Sequence, residues 1–203
     1  MSKLKVAVLI SGRGSNLKAL IEQCNEPDFP AEIVLVVTNK RDAGGLEYAQ
    51  KAGIPYKFID HKAFPDRKAF DLAIHADLLA AGVQFVCLAG FMRVLTKDFV
   101  ERWHDKMLNI HPSILPSFQG LHTHERAIET GVKYHGCTVH FVRADVDTGP
   151  IIVQEVVEVA DIDTPETLGA KVLEREHVAY KRALRLVAHK TFMIKGNRVE
   201  TWE

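Results

Sequence analysis

The sequence predicts an α/β fold: an open, mostly parallel twisted sheet with helices on both faces, Rossmann-like in its N-terminal half, with antiparallel strands towards the C-terminus. Three observations predict it. Near-continuous apolar runs such as "KVAVLI", "EIVLVV" and "VQFVCLAG" read as strands buried on both faces. Between them lie stretches of helical apolar spacing, each about one crossover long, which implies parallel strands with right-handed connections. After His111 the rhythm changes to two extended runs separated by the turn-rich "ADVDTG", which implies an antiparallel or bent connection.

Taken in order, residues 5–10 form a first strand and residues 15–24 a helix. The run "EIVLVVTN" is the second strand, "GLEYAQKAG" a helix closed by Gly53, and "YKFID" a short strand. Residues 66–81 are helical, with Phe70, Ala73, Ile74 and Leu78 on one side, and "VQFVCLAG" follows as a strand. The segment "LNIHPSILP" ends an apolar run on Asn109 and His111, whose side chains share a face if the strand continues through Ile110. Pro112 favours an extended His111. "YHGCTVHFVR" and "PIIVQEVVEV" are the later strands. Residues 164–189 make a long helix, with Asp163 or Thr164 as cap and Pro165 in its first turn. "FMIKGNRVETW" reads as a hairpin around Gly196 and Asn197.

At 203 residues the chain is long enough for one well-buried core, and we read residues 1–203 as a single domain. The 26 basic and 26 acidic residues balance to +0, so there is no global field to gather nucleic acid or an anionic membrane, and small-molecule substrates are expected. Cys24, Cys87 and Cys137 are odd in number and lack Cys-x-x-Cys spacing, which predicts reduced thiols in a cytoplasmic protein. The first apolar run is too short for a signal-peptide core, and no stretch approaches the ~18 residues of a membrane span.

In open α/β sheets ligands lie outside the carboxyl ends of the strands, where "SGRGSN", "GFMRVL" and "NIHP" all fall. In "SGRGSN", Gly12 and Gly14 allow a tight turn, and Ser15 and Asn16 open a helix whose free N–H groups favour a phosphate. Leu17 stands where a dinucleotide fingerprint has its third glycine, and the second strand ends in Thr38-Asn39-Lys40 without a ribose-binding acid. NAD is therefore not expected; the plainer reading is a turn and a helix start. His111 alone would be an ordinary core histidine, but Asp147 in "DVDTGP" can project from a turn towards it, and a neighbouring carboxylate orients an imidazole and favours its charged form. His122 and His124 in "GLHTHE" lack a third ligand at metal spacing, so no metal is expected. Arg67 and Arg93 are solvated charges on the plain reading, and Glu176 is surface charge on the long helix.

"ISGRGSNL", "LAGFMRVL", "LNIHPSILPSFQGLHTH" and "VDTGPII", in this order and spacing, closely resemble the phosphoribosylglycinamide formyltransferases, a folate-dependent family of purine biosynthesis. The resemblance covers nearly the whole chain. It implies transfer of a formyl group from 10-formyltetrahydrofolate, a co-substrate, to the amine of glycinamide ribonucleotide, without a metal. It assigns Asn109, His111 and Asp147 to catalysis. It matches Gly14, Ser15 and Asn16 to the nucleotide's phosphate, and Leu173, Glu174, Arg175 and Glu176 to the same substrate. Arg67, Met92, Arg93, Val94, Leu95, Arg143, Ala144, Asp145 and Val146, with Asn109 and Asp147, match folate-binding positions. "SFQG" and "DTGP" differ from some relatives, in loop detail rather than in the trio.

The chemistry suits these residue types. As the amine attacks the formyl carbon, charge develops on the formyl oxygen, where the Asn109 amide and a protonated His111 are expected to donate. Asp147 orients His111 and relays a proton. Relatives that formylate initiator tRNA or hydrolyse the folate carry an added C-terminal or N-terminal domain, which this length is expected not to hold. Hydrolysis, another formyl acceptor, and a non-catalytic nucleotide-binding module are the alternatives. A monomer or homodimer is expected.

Overall fold

The computed structural model describes residues 2–202. They pack as two compact units divided between Leu108 and Asn109, inside one strand.

In the first unit, strands β1 (Leu4–Ile10), β2 (Ala31–Thr38), β3 (Tyr56–Phe58) and β4 (Phe85–Leu88) lie in the order β3-β2-β1-β4, every pair parallel. Helices α1 (Ser15–Cys24), α2 (Leu46–Lys51) and α3 (Arg67–Ala80) alternate with them. Residues 6–10 are wholly shielded from solvent, as are Val36 and Val37 on the next strand, which accounts for the unbroken apolar runs. Leu17 and Leu20 from α1, and Phe70, Ile74 and Leu78 from α3, are buried at helical spacing. Ala73, expected among them, is half-buried.

The turn after β1 depends on glycine. Gly14 has φ 76° and precedes α1, and a Cβ there would run into Gly45 Cα, because Gly45 N donates to Gly12 O at 3.1 Å. Two features escaped the sequence reading here. Residues His61–Ala63 form a 3₁₀ turn, and α4 (Lys97–Arg102) starts at Thr96, whose hydroxyl accepts from Phe99 N. Both elements are too short to show a hydrophobic period.

Strand β5 (Met107–His111) runs across the division. The second unit continues with α5 (Thr123–Thr130), β6 (Tyr134–Phe141), β7 (Ile151–Glu158), α6 (Pro165–His189), β8 (Phe192–Lys195) and β9 (Arg198–Thr201). As expected, β6 pairs antiparallel with β7, and β8 with β9 across Gly196 and Asn197. Strand β7 also pairs with β9 in parallel. The Thr164 side chain accepts from Thr167 N while Thr167 Oγ1 accepts from Thr164 N, so Thr164 rather than Asp163 caps α6. Helix α5, three residues after the Gly120 turn, was not foreseen, because "GLHTHE" was read for its histidines.

Cys24, Cys87 and Cys137 are free and buried, and burial pushes the Cys24 and Cys137 thiols up to about 12, which leaves them unreactive. Among the described residues no helix is long and apolar enough to cross a membrane.

Candidate active site

Strand β5 delivers Asn109 and His111 on one face while Ile110, between them, turns into the core at 7% exposure. Beyond it, side chains of β6 and β7 fasten the chain. Thr138 Oγ1 donates to Ser113 O at 2.7 Å and accepts from Leu115 N at 3.0 Å, and Gln154 Nε2 donates to Leu115 O at 2.9 Å. The proline-stiffened segment is therefore held by side chains rather than by a ladder.

His111 is buried, and its two ring nitrogens face different acceptors. Nδ1 lies 3.4 Å from Asp147 Oδ2, and Nε2 lies 3.0 Å from Phe118 O. A carbonyl and a carboxylate only accept, so an imidazolium satisfies both directions where a neutral ring would present one lone pair to an acceptor. Asp147 is buried at 9% exposure despite its charge and has φ 57°, a conformation that L residues rarely hold without surrounding restraint. The restraint is visible: Gly120 N donates to Asp147 Oδ2 at 3.0 Å, and Gln119 Nε2 to Asp147 O at 3.1 Å. This corrects the expectation that "SFQG" touches loop detail alone, because Gly120 holds the carboxylate of the trio and Gln119 the backbone carbonyl of the same residue.

The far end of the Asp147 loop is closed by Gly149, where a Cβ would run into Phe141 O of β6. The conflict is with backbone, which cannot swing away. Gly149→Ala is expected to cost roughly 3 kcal/mol, the upper end for overpacking, as read by urea denaturation at pH 7. A cost below about 1 kcal/mol, the ordinary range for substitutions, would show that the loop does not need this close approach.

The sequence reading missed His140. Its Nδ1 lies 3.0 Å from Phe141 O and must carry the proton there, while Nε2 lies 3.3 Å from Asn109 Nδ2 and 3.8 Å from Asp147 Oδ1. Burial lowers the pKa of this ring, favouring the neutral form. A neutral ring protonated on Nδ1 accepts at Nε2, so Asn109 donates one N–H to it and keeps the other. The strand register shifts between Val139 and His140, a bulge that re-aims the side chain. Three polar residues, His135, Thr138 and His140, punctuate this buried strand without a period that singles His140 out.

His124 Nδ1 lies 3.3 Å from His135 Nε2, with the rings edge to face. His122 instead pairs with Glu125 at 3.5 Å on the surface, so the two histidines of "HTH" diverge. Among the described residues no group of three or more His, Cys, Asp or Glu side chains is placed to hold a metal ion. Burial lowers the His135 pKa from 6.5 to about 4. The unfolded chain therefore binds a proton that the folded one refuses between these values, and stability falls as pH drops from 6.5 towards 4. About 2 kcal/mol should be lost between pH 6.5 and 5, and denaturation of His135→Gln should show a correspondingly flatter pH dependence. An unchanged slope would assign the effect to other groups.

The remaining predicted positions lie as follows. Gly14, Ser15 and Asn16 form the start of α1, which has no side-chain cap on its first N–H groups. Arg67 opens α3, exposed, with Nη1 3.5 Å from Val94 O. Met92 and Val94 are exposed, whereas Leu95 is buried and Arg93 half-buried. Arg143, Ala144, Asp145 and Val146 form the loop between β6 and β7, with Val146 54% exposed. Leu173, Glu174 and Arg175 lie on α6 with Glu176, which is buried at 9% exposure; reading it as surface charge is corrected.

The formyl transferase family profile matches residues 4–184. The chain belongs to the formyl transferase family. This formyl transferase is 42% identical over 193 residues to the phosphoribosylglycinamide formyltransferase of Haemophilus influenzae, covering 95% of this chain and 91% of that one. It is 51% identical over 200 residues to the human trifunctional purine biosynthetic protein adenosine-3, covering 98% of this chain but 20% of that protein. The crystal structure of glycinamide ribonucleotide transformylase 1 from Symbiobacterium toebii superposes with a TM-score of 0.96 at 44% identity, covering 99% of this chain and 95% of that one.

Proposed function

We infer that this formyl transferase moves the formyl group of 10-formyltetrahydrofolate to the amine of glycinamide ribonucleotide, a step of de novo purine biosynthesis. The carrying observation is that Asn109, His111 and Asp147 meet in one buried polar cluster, 3.4 Å separating the imidazole from the carboxylate, in a chain of this family. The close identity to a phosphoribosylglycinamide formyltransferase over most of both chains supports the acceptor. Free, buried thiols fit a cytoplasmic protein. Both substrates are small molecules, residues 1–203 act as one formyltransferase domain, and the protein works as a monomer or homodimer.

The amine nitrogen bonds to the formyl carbon as the carbonyl electrons move onto oxygen. Asn109 donates its second N–H to that oxygen, the first being held by His140. His111 has only Nε2 left for the substrate, since Nδ1 faces Asp147, so the formyl oxygen takes the place of Phe118 O there. Asp147 accepts a proton from the attacking amine, directly or through water. Collapse breaks the bond to the folate nitrogen, which leaves protonated, so the proton lost by the amine balances the one gained by the folate. Gly14, Ser15 and Asn16 hold the nucleotide's phosphate, which suits the uncapped helix start. Leu173, Glu174, Arg175 and Glu176 contact the same substrate. Arg67, residues 92–95 and residues 143–147, with Asn109, bind the folate.

A spectrophotometric assay with a deaza analogue of the folate, with and without glycinamide ribonucleotide, tests this reading. Folate turnover only with the nucleotide is expected. Equal turnover without it would make the protein a hydrolase, and none in either mixture would revive a binding module or another acceptor.

A further inference from the structure

The stretch 92–95 of the first unit is unusual in its backbone. The N–H groups of Arg93, Val94 and Leu95 make no hydrogen bond among the described residues, and Met92 and Val94 stand 63% and 52% exposed. A chain with free donors and exposed side chains has little of its own to fix it. Yet both of its ends are tied to buried polar side chains.

At the N-terminal end, Ser11, 3% exposed, is a node. Its backbone N–H donates to Gly90 O at 3.1 Å, its Oγ accepts from Met92 N at 2.8 Å, and the same hydroxyl donates to Asn39 Oδ1 at 2.5 Å. Asn39, 4% exposed, in turn approaches His61 Nδ1 through Nδ2 at 3.4 Å. At the C-terminal end, Asp71, also 3% exposed, accepts from both Thr96 N at 2.6 Å and Thr96 Oγ1 at 2.7 Å through the single oxygen Oδ2. Its other oxygen is buried without a hydrogen-bond partner. Arg67, one turn earlier on α3, reaches Val94 O between the two anchors.

A buried carboxylate with one unpaired oxygen is an expensive way to join a helix to a loop, and an apolar contact would hold it at lower cost. The geometry has a further use: charge-assisted bonds fix the direction of a backbone more narrowly than packing does.

We propose that Asp71 and Ser11 are positioning residues for the formyl donor, holding residues 92–95 at both ends so that their unbonded N–H groups face the folate in a preset arrangement. The proposal rests on the folate reading of this stretch given above. Neither side chain touches the donor; each acts through the backbone it holds. Loss of an anchor should therefore weaken donor binding through the cost of ordering the stretch on contact, and should leave the chemical step unchanged.

The test uses the full chain with 10-formyl-5,8-dideazafolate as donor. Asp71→Ala should raise the KM for this donor about tenfold, as the stretch must then be ordered when the donor binds, with kcat and the nucleotide KM within about twofold. Asp71→Asn, which keeps one oxygen to accept from Thr96, should recover part of the loss, and decides the matter if the alanine variant does not fold. Ser11→Ala should raise the same KM, with its kcat likewise unchanged. A fall in kcat at constant donor KM, an equal rise in the nucleotide KM, or no change in either constant would overturn the proposal. Amide exchange of the unaltered protein separates the two readings. Slower exchange at Arg93, Val94 and Leu95 on adding the dideazafolate supports their contact with the donor, whereas unchanged exchange there overturns the folate assignment of the stretch whatever the variants do.

Discussion

Asp147→Asn is expected to lower kcat by roughly 10³- to 10⁴-fold while the protein stays folded, the scale seen when the carboxylate that orients a catalytic histidine becomes an amide. The geometry gives the reason. Asp147 Oδ2 receives Gly120 N and faces His111 Nδ1, and its backbone carbonyl is held by Gln119. An asparagine can keep the Gly120 bond through its oxygen and fit the same volume. It cannot present a charge to the imidazole, and if its amide group turns to His111 it offers a donor where Nδ1–H also needs an acceptor. The ring then loses the acceptor that Nδ1 faces, and with it the orientation that aims Nε2 at the substrate. Steady-state kinetics with both substrates saturating checks this, with circular dichroism for the fold. A kcat within tenfold of the parent would remove Asp147 from the proton path.

Asn109→Ala is expected to lower kcat by about 10²- to 10³-fold, the cost of one preorganised donor at a developing oxyanion. Its other consequence is structural. Without the Asn109 amide, His140 Nε2 loses its donor and faces Asp147 Oδ1 at 3.8 Å. His140→Ala makes the converse change: it leaves Asn109 in place but free to rotate, so kcat should fall by less than in Asn109→Ala, and the double variant should resemble Asn109→Ala alone. Such non-additivity marks groups acting as one unit. If Asn109→Ala instead raised a KM at constant kcat, the amide would serve uniform binding and not the transition state.

Periodicity placed the long elements well. The buried parallel strands of the first unit announce themselves because shielding on both faces demands unbroken apolar runs, and α6 shows its start through Thr164 and Pro165. The short α4 and α5 did not, since their six and eight residues span too few turns for a hydrophobic stripe, and their starts at Thr96 and His122 depend on local geometry. Asn109 and His111 were legible as a pair from strand alternation alone, and Asp147 followed from the turn after a strand. His140 was not, because a polar residue inside a buried run, like His135 and Thr138 beside it, looks the same whether it is idle or holds another side chain. Nor was the burial of Glu176, whose neighbours Glu174 and Arg175 are exposed in the pattern of an ordinary helix surface. Gln119 and Gly120 were read as loop detail because their contact with Asp147 joins segments more than 25 residues apart in the chain, 28 and 27 respectively, which no local pattern encodes.

On the proposed function, the cluster around His111 passes a formyl group to an amine and not to water. Following the carbon itself tests this most directly. The protein is incubated with 10-formyltetrahydrofolate labelled with ¹³C in the formyl group, together with glycinamide ribonucleotide, and the products are read by NMR. The label is expected in an N-formyl group on the nucleotide, in equal amount to the tetrahydrofolate released, with no such product from His111→Ala on the same time scale. Label released as free formate, with the nucleotide unchanged, would contradict it.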